Sequence, residues 1–143
     1  RVRQAITDGN LDQAQRLLGR PFSVFGRVVH GEHLGQQLGF PTANLDVEGE
    51  KLPPDGVYAG TYEADGRTHP AAVNIGNRPT VDGRERRVEA HVIDFSEDLY
   101  GRHIEIPLLR FLRPEKRFPD LAALKAQIAR DVEEATTAAG TGP

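Results

Sequence analysis

Three glycines, a threonine and an asparagine make up the stretch of the chain that is richest in potential chemistry. Gly31, Gly35 and Gly39 recur every four residues directly after an apolar run with strand character, and Thr42 and Asn44 follow closely. Glycines allow backbone N–H groups to turn towards an anion at little steric cost. A threonine hydroxyl and an asparagine amide are hard oxygen ligands of the kind that Mg²⁺ prefers. The stretch predicts a phosphate-binding loop followed by a magnesium site, with a mobile loop and an Asx-type turn as the structural alternative.

A carboxylate on a predicted strand is the second candidate. Strand alternation places Glu89 on the face opposite Val88 and Ala90, and a carboxylate beside Ile93 and Phe95 on its own face violates simple patterning. A positioned carboxylate can accept a proton as a general base. A carboxylate in such a place is more often held in an ion pair, for which Arg86 and Arg87 are candidate partners.

Familiar nucleotide-binding and metal-binding motifs do not occur in the sequence. Neither Gly-x-x-x-x-Gly-Lys-Ser/Thr nor the motif set of protein kinases is present, so a phosphate site has to be built differently. The five histidines lack the spacing of a zinc site. We expect His33, inside the glycine-rich stretch, to lie beside phosphate.

Composition narrows the class of protein. The 143 residues suffice for one domain with a sizeable core. The net charge of −3 argues against a general nucleic-acid binder. Cysteine is absent, and no apolar run has the length of a membrane span or the pattern of a leader. We therefore expect a cytoplasmic protein with neither a nucleic-acid nor a membrane partner.

The apolar pattern changes along the chain from helical to strand-like and back. Residues 1–20 have apolar positions at helical spacing, broken at Gly9 and Asn10, and predict two short helices. Asp120 can cap a further helix, whereas residues 136–143 are too poor in apolar side chains to order themselves. The strand-like runs between them indicate a mainly antiparallel β fold, either a sandwich or a small closed barrel. These runs cover residues 22–29, 43–45, 56–62, 70–75, 86–95 and 104–112.

The hexapeptide Gly39-Phe-Pro-Thr-Ala-Asn44 resembles the signature of the riboflavin kinases. Further segments fall in the order of that family, so the resemblance covers residues 22–135, nearly the whole chain. These segments are Ser23 to Gly31, Gly56 to Gly60, Asn74 to Thr80, Val88 to Phe95, Asp98 to Gly101 and Leu112 to Phe118.

The resemblance implies a fold, a reaction and a set of site residues. The implied fold is a six-stranded antiparallel Greek-key barrel with a C-terminal covering helix, and the implied reaction is the ATP- and Mg²⁺-dependent phosphorylation of the ribityl 5′-hydroxyl of riboflavin to FMN. Glu89 would be the catalytic carboxylate, and Thr42 and Asn44 would bind the metal. The implied nucleotide-binding residues are Gly31, His33, Gly35, Gly39, Pro41, Thr42 and Tyr100, and the implied flavin-binding residues are Asn74, Arg113 and Phe118.

Residues 3–20 are similar to the segment that links the FMN adenylyltransferase domain of bacterial FAD synthetases to the kinase domain. We therefore expect a helical linker over residues 1–20, a kinase domain over 21–135 and a disordered tail over 136–143, with an adenylyltransferase domain as the partner. A non-catalytic flavin-binding barrel is the main alternative. A barrel that binds oligonucleotides is disfavoured by the negative charge and by the small number of aromatic residues.

Overall fold

Six strands, all paired antiparallel, close into a barrel in the computed structural model, which describes residues 1–29, 39–47, 51–80 and 83–140. The order around the barrel is β1-β2-β5-β4-β3-β6. Within it, β6-β3-β4-β5 has the arrangement of a Greek key, because three consecutive strands are neighbours and the fourth returns beside the first. The predicted six-stranded barrel is confirmed. The strands are β1 Ser23–Val29, β2 Ala43–Asp46, β3 Gly56–Ala64, β4 Arg67–Thr80, β5 Gly83–Val92 and β6 His103–Arg113.

The barrel interior is filled by side chains from alternate strand positions. On β5, for example, Val88, Ala90 and Val92 are buried, whereas Glu89 and His91 between them are only partly covered. The same alternation on the other strands supplies a continuous apolar core. The interior of the barrel is therefore filled by apolar side chains, and Glu89 lies on the outer face of the sheet.

The connection between β3 and β4 has a clear local cause. Asp65 and Gly66 join β3 to β4 with positive φ angles of 52° and 78°. A two-residue turn of this kind matches the twist of the flanking strands. Because the hairpin pairs without interruption from Ala64↔Arg67 to Gly56↔Ile75, β4 begins earlier than the predicted residue 70.

Two short helices precede the barrel, as predicted: α1 (Val2–Thr7) and α2 (Leu11–Leu18). Asn10 caps α2, since its Oδ1 accepts a hydrogen bond from the backbone N–H of Gln13 at 3.0 Å. Gly19 ends the helix in the left-handed region at φ 77°. Ala5, Ile6 and Ala14 form a small cluster against Phe22 at the start of β1, which attaches the pair to the barrel.

The last helix, α3 (Leu121–Ala138), lies across the outer face of β3, β4 and β6. Asp120 Oδ1 accepts a hydrogen bond from the backbone N–H of Ala123 at 2.8 Å and caps it as predicted. Ala135 packs against Ala59 of β3 and Ile93, which directly follows β5. The helix continues to Ala138, three residues past the predicted domain end at residue 135.

Candidate active site

A single row of cross-strand neighbours brings together predicted site residues from four strands. Asn44 on β2 pairs with Glu89 on β5, and Glu89 pairs with Asn74 on β4. The row continues through Val57 on β3 to Arg113 at the end of β6. Directly paired residues point to the same face of a sheet. Because the neighbours of Glu89 on its own strand point inward, this row lies on the outer face of the barrel.

A first cavity of about 360 Å³ lies between this row and α3. Glu89, Asn74 and Arg113 line it, and Thr42 and Phe118 contribute from the loops. Five of the predicted site residues, including all three predicted flavin-binding residues, therefore share one cavity. Much of its apolar surface comes from five further lining residues, Phe40, Val57, Ala72, Leu124 and Ile128.

A second cavity, of about 470 Å³, lies beside the first. Pro41, Thr42, Asn44 and Tyr100, all predicted to contact nucleotide or metal, line it. Thr42 borders both cavities, so the two spaces meet at this residue. Aliphatic and aromatic side chains of Val28, Val29, Val92, Phe95 and Leu99 form much of the remaining wall.

The carboxylate of Glu89 is held by an arginine on its own strand. Nη2 of Arg87 lies 3.3 Å from Oε1 of Glu89 and also donates to Oδ1 of Asn44 at 3.2 Å. Of the two arginines offered as partners, Arg87 is the one that pairs with Glu89. Arg86 instead pairs with Asp55, with Nη2 and Oδ1 2.6 Å apart.

A buried ion pair fixes the guanidinium of Arg113 in the wall of the first cavity. Its Nε and Nη2 donate to the two carboxylate oxygens of Asp131 at 2.9 and 2.8 Å. Asp131 on α3 is buried and also accepts a hydrogen bond from Gln127 at 3.0 Å. The Arg113 guanidinium lies 5.8 Å from the centre of the Phe118 ring. Sequence analysis assigned no role to Asp131, although a carboxylate four residues before the buried Ala135 marks it as lying on the packed face of α3.

His91 is a second residue that the sequence analysis left without a role. Its Nδ1 lies 2.7 Å from the carbonyl oxygen of Pro41, and its ring packs edge-on against Phe40 with centroids 5.6 Å apart. These contacts attach the segment before Thr42 to β5. Strand alternation places His91 on the same face as Glu89, and this pattern could have indicated that His91 lies at the site.

The loop after β6 brings another carboxylate to the first cavity. Glu115 packs against Gly76 of β4, where a side chain at position 76 would collide with it. Burial raises the pKa of the Glu115 carboxyl above its usual value, and the charge of Asp55 adds to this effect. The charge of Glu89 raises it further, while Arg113 opposes the shift. Glu89 and Glu115 therefore lie in one cavity as two carboxylates that repel each other.

Of the remaining predicted site residues, the structure describes some and not others. Gly31, His33 and Gly35 lie outside the described residues. Gly39 is exposed with φ at 91°, a backbone conformation that favours glycine. Tyr100 is exposed at the edge of the second cavity, and its backbone N–H donates to Asp98 Oδ1 at 2.9 Å. Within the described ranges, no three His, Cys, Asp or Glu side chains form a metal-binding cluster.

Comparison with solved structures defines the fold class first. A Streptococcus pneumoniae protein described as a macrolide-efflux protein matches with a TM-score of 0.84 and 38% identity, over 95% of this chain and 45% of that chain. The riboflavin kinase of Trypanosoma brucei matches with a TM-score of 0.61 and 29% identity, over 85% of this chain and 81% of that chain. The chain thus has the barrel of riboflavin kinases.

Sequence comparison then gives the family. The family model for riboflavin kinase, or flavokinase, matches residues 18–139, and the chain belongs to this family of transferases. The bifunctional riboflavin kinase/FMN adenylyltransferase of Escherichia coli K12 is 50% identical over 131 residues, which are 91% of this chain and 42% of that protein. The chain spans less than half the length of such relatives. No helix in the described part of the chain is both long and apolar enough to span a membrane.

Proposed function

We propose that this chain transfers the γ-phosphoryl group of ATP to the ribityl 5′-hydroxyl of riboflavin and so produces FMN and ADP. The observation that carries the proposal is the position of Glu89. It lines the first cavity and is the register partner of Asn44, which lines the second. A kinase for a small alcohol must hold donor and acceptor in line with the attacking hydroxyl between them. Two adjoining cavities with a carboxylate at their junction suit that requirement.

The two cavities differ in polarity, and this difference indicates which substrate each of them binds. The first is the more apolar, and Phe118 and Arg113 at its wall suit a flat ring system with polar edges. Asn74 adds an amide beside Glu89, where the ribityl chain with its hydroxyl groups would lie. The second cavity, which begins at Pro41 and Thr42 and ends at Tyr100, takes the nucleotide.

Glu89 acts on the attacking hydroxyl group. Its carboxylate accepts the hydrogen bond of the 5′-hydroxyl and takes the proton as the oxygen forms its bond to the γ-phosphorus. The bond from that phosphorus to the β–γ bridging oxygen breaks, and ADP leaves with the bonding electrons. Because phosphoryl transfer has a loose transition state, orientation of the hydroxyl contributes at least as much as removal of the proton.

Thr42 and Asn44 fit a magnesium ion that arrives with the nucleotide. Asn44 is only 8% exposed, and its Oδ1 still has a second lone pair besides the one that Arg87 uses. Both residues offer neutral hard oxygens, and the described residues nearby hold no carboxylate cluster that would bind the ion alone. When bound, Mg²⁺ would neutralise phosphate charge. We therefore expect metal affinity to depend on the presence of nucleotide.

The first experiment is an incubation of the protein with riboflavin and ATP, with and without Mg²⁺, followed by chromatographic separation of FMN and ADP. The proposal requires FMN and ADP in equal amounts and only with the metal. Flavin binding that is indifferent to ATP and Mg²⁺, without FMN, would instead establish the non-catalytic flavin-binding barrel.

The variant Glu89→Gln tests the assigned base. The amide retains the shape of the side chain but cannot take a proton, so we expect kcat to fall by about 10²- to 10⁴-fold with riboflavin binding preserved. Glu105→Gln is the matched control, because Glu105 lies exposed on β6 in a surface pair with Arg20. Full activity of a folded Glu89→Gln protein would remove Glu89 from the mechanism.

We further propose that the full-length protein carries an FMN adenylyltransferase domain, joined to the kinase domain through residues 1–20. The Escherichia coli relative is named as bifunctional, and α1 and α2 attach to the barrel by a small cluster of their own. Formation of FAD from FMN and ATP by the full-length protein, but not by this chain, is the expected result. We also propose that the protein is located in the cytoplasm.

A further inference from the structure

Arg87 contacts one lining residue of each cavity, Glu89 of the first and Asn44 of the second. It lies on β5 two residues before Glu89, and its side chain is 20% exposed. One nitrogen, Nη2, contacts both Asn44 Oδ1 at 3.2 Å and Glu89 Oε1 at 3.3 Å. Its register partner on β4 is Gly76, against which the side chain of Glu115 packs. The contacts with Asn44 and Glu89 are both with groups that the proposed reaction needs for other purposes.

The charges around the second cavity indicate a function for Arg87. The charged residues that line the second cavity within the described part of the chain are Glu97 and Asp98, both acidic. A nucleoside triphosphate carries several negative charges, and one magnesium ion offsets only two of them. Arg87 contacts a lining residue of this cavity, Asn44, and so brings a positive charge to its edge. A guanidinium suits phosphate oxygens because it offers parallel N–H donors in a fixed plane.

We propose that Arg87 is a further phosphate-binding residue of this site. In the nucleotide-free protein its guanidinium bridges Asn44 and Glu89. When the metal–nucleotide complex binds, Asn44 is needed as a ligand and Glu89 as the partner of the hydroxyl group, and Arg87 turns to the β- and γ-phosphate oxygens. This inference rests on the proposed kinase function, because it assumes that the second cavity takes the nucleotide.

The test compares ligands that differ only in phosphate number. Dissociation constants of ADP and AMP are measured by titration calorimetry in the presence of Mg²⁺ for the unmodified chain and for Arg87→Gln. Loss of a charge-assisted contact should weaken ADP binding about 10-fold or more. AMP binding should change less than about 2-fold, and the KM for riboflavin should stay within the same range. Arg110→Gln is the matched control, since Arg110 is exposed on β6 and lines neither cavity.

Two results would overturn the inference. Equal weakening of ADP and AMP would show that Arg87 only supports the local structure. Unchanged or tighter binding of ADP would show that Arg87 merely competes with the metal for Asn44. Should Arg87→Gln fail to fold, Arg87→Lys asks the same question, because an ammonium group keeps the charge and loses the planar donor set; there we expect a weakening of about 3-fold for ADP alone.

The outcome is distinguishable from failure of the proposed function. If the unmodified chain binds ADP but forms no FMN, the kinase proposal fails while the comparison of ADP with AMP still decides the role of Arg87. If it forms FMN and Arg87→Gln binds ADP normally, only the inference about Arg87 fails.

Discussion

Removal of the Asp131 carboxylate is expected to destabilise the protein more than removal of any single exposed charge. Asp131 and Arg113 form two hydrogen bonds of 2.9 and 2.8 Å, and their side chains are only 5% and 17% exposed. In Asp131→Asn the Arg113 guanidinium stays in place and loses its counter-charge. It keeps a hydrogen bond of 3.1 Å to the carbonyl oxygen of Pro114 and its position 5.8 Å from the centre of the Phe118 ring.

The magnitude follows from burial. Removing one partner of a buried ion pair costs about 3–5 kcal/mol, because an uncompensated charge remains behind. The partial exposure of Arg113 and its bond to Pro114 put the expected loss at the lower end, about 3 kcal/mol. For a domain of this size, such a loss corresponds to a fall in Tm of about 10 °C.

A double-mutant cycle measured by urea unfolding isolates the pair. The variants are Asp131→Asn, Arg113→Met and the double replacement, and we expect a coupling energy of about 2 kcal/mol or more. The pair Arg20–Glu105, 3.2 Å apart with side chains 59% and 42% exposed, is an internal control. Its coupling should be below about 1 kcal/mol. Equal coupling energies for the two pairs would refute the reasoning from burial.

Two further predictions concern pH. Burial raises the pKa of Tyr58 from 10.0 to about 12, so its contribution to stability is fully present below pH 10 and is lost as the pH rises through 12. In Tyr58→Phe the free energy of unfolding at neutral pH should be lower by about 1 kcal/mol, because the hydrogen bond to the carbonyl oxygen of Pro54 is missing. Urea unfolding of this variant should not show the loss of stability at alkaline pH. The folded protein favours protonated Glu115, chiefly through burial. Glu115→Gln should therefore have the same Tm as the unmodified chain in acid. As the pH rises through the Glu115 pKa, the Tm of the variant should become increasingly higher than that of the unmodified chain.

The sequence was sufficient for most of the fold because each strand carries its own pattern. Alternation placed Glu89 opposite Val88 and Ala90, and the structure has Glu89 on the outer face and the other two residues buried. Boundaries were less accurate, since hairpin pairing extends strands beyond their apolar segments. Strand β5 was predicted over residues 86–95 and is found at Gly83–Val92.

The contacts of the candidate site could not be predicted in the same way. The bond between Arg87 and Asn44 joins residues that are 43 positions apart, and the pair of Arg113 with Asp131 joins a strand to a helix. Such contacts depend on register between strands and on the angle at which α3 packs, neither of which a local pattern contains. The resemblance to the riboflavin kinases supplied the flavin-binding candidates without showing what holds them.

The apolar interior of the barrel is what fixes the chemistry on its outside. Side chains in a strand alternate between faces, so a slip of β5 by one residue would expose Val88 and Ala90 and bury Glu89. The cost of exposing those apolar groups and burying a carboxylate would be far larger than any gain at the site. The register between the strands therefore fixes the place of Glu89 between Asn44 and Asn74. This explains how a side chain on the outer face, paired with Arg87, has a position as well determined as that of a core residue.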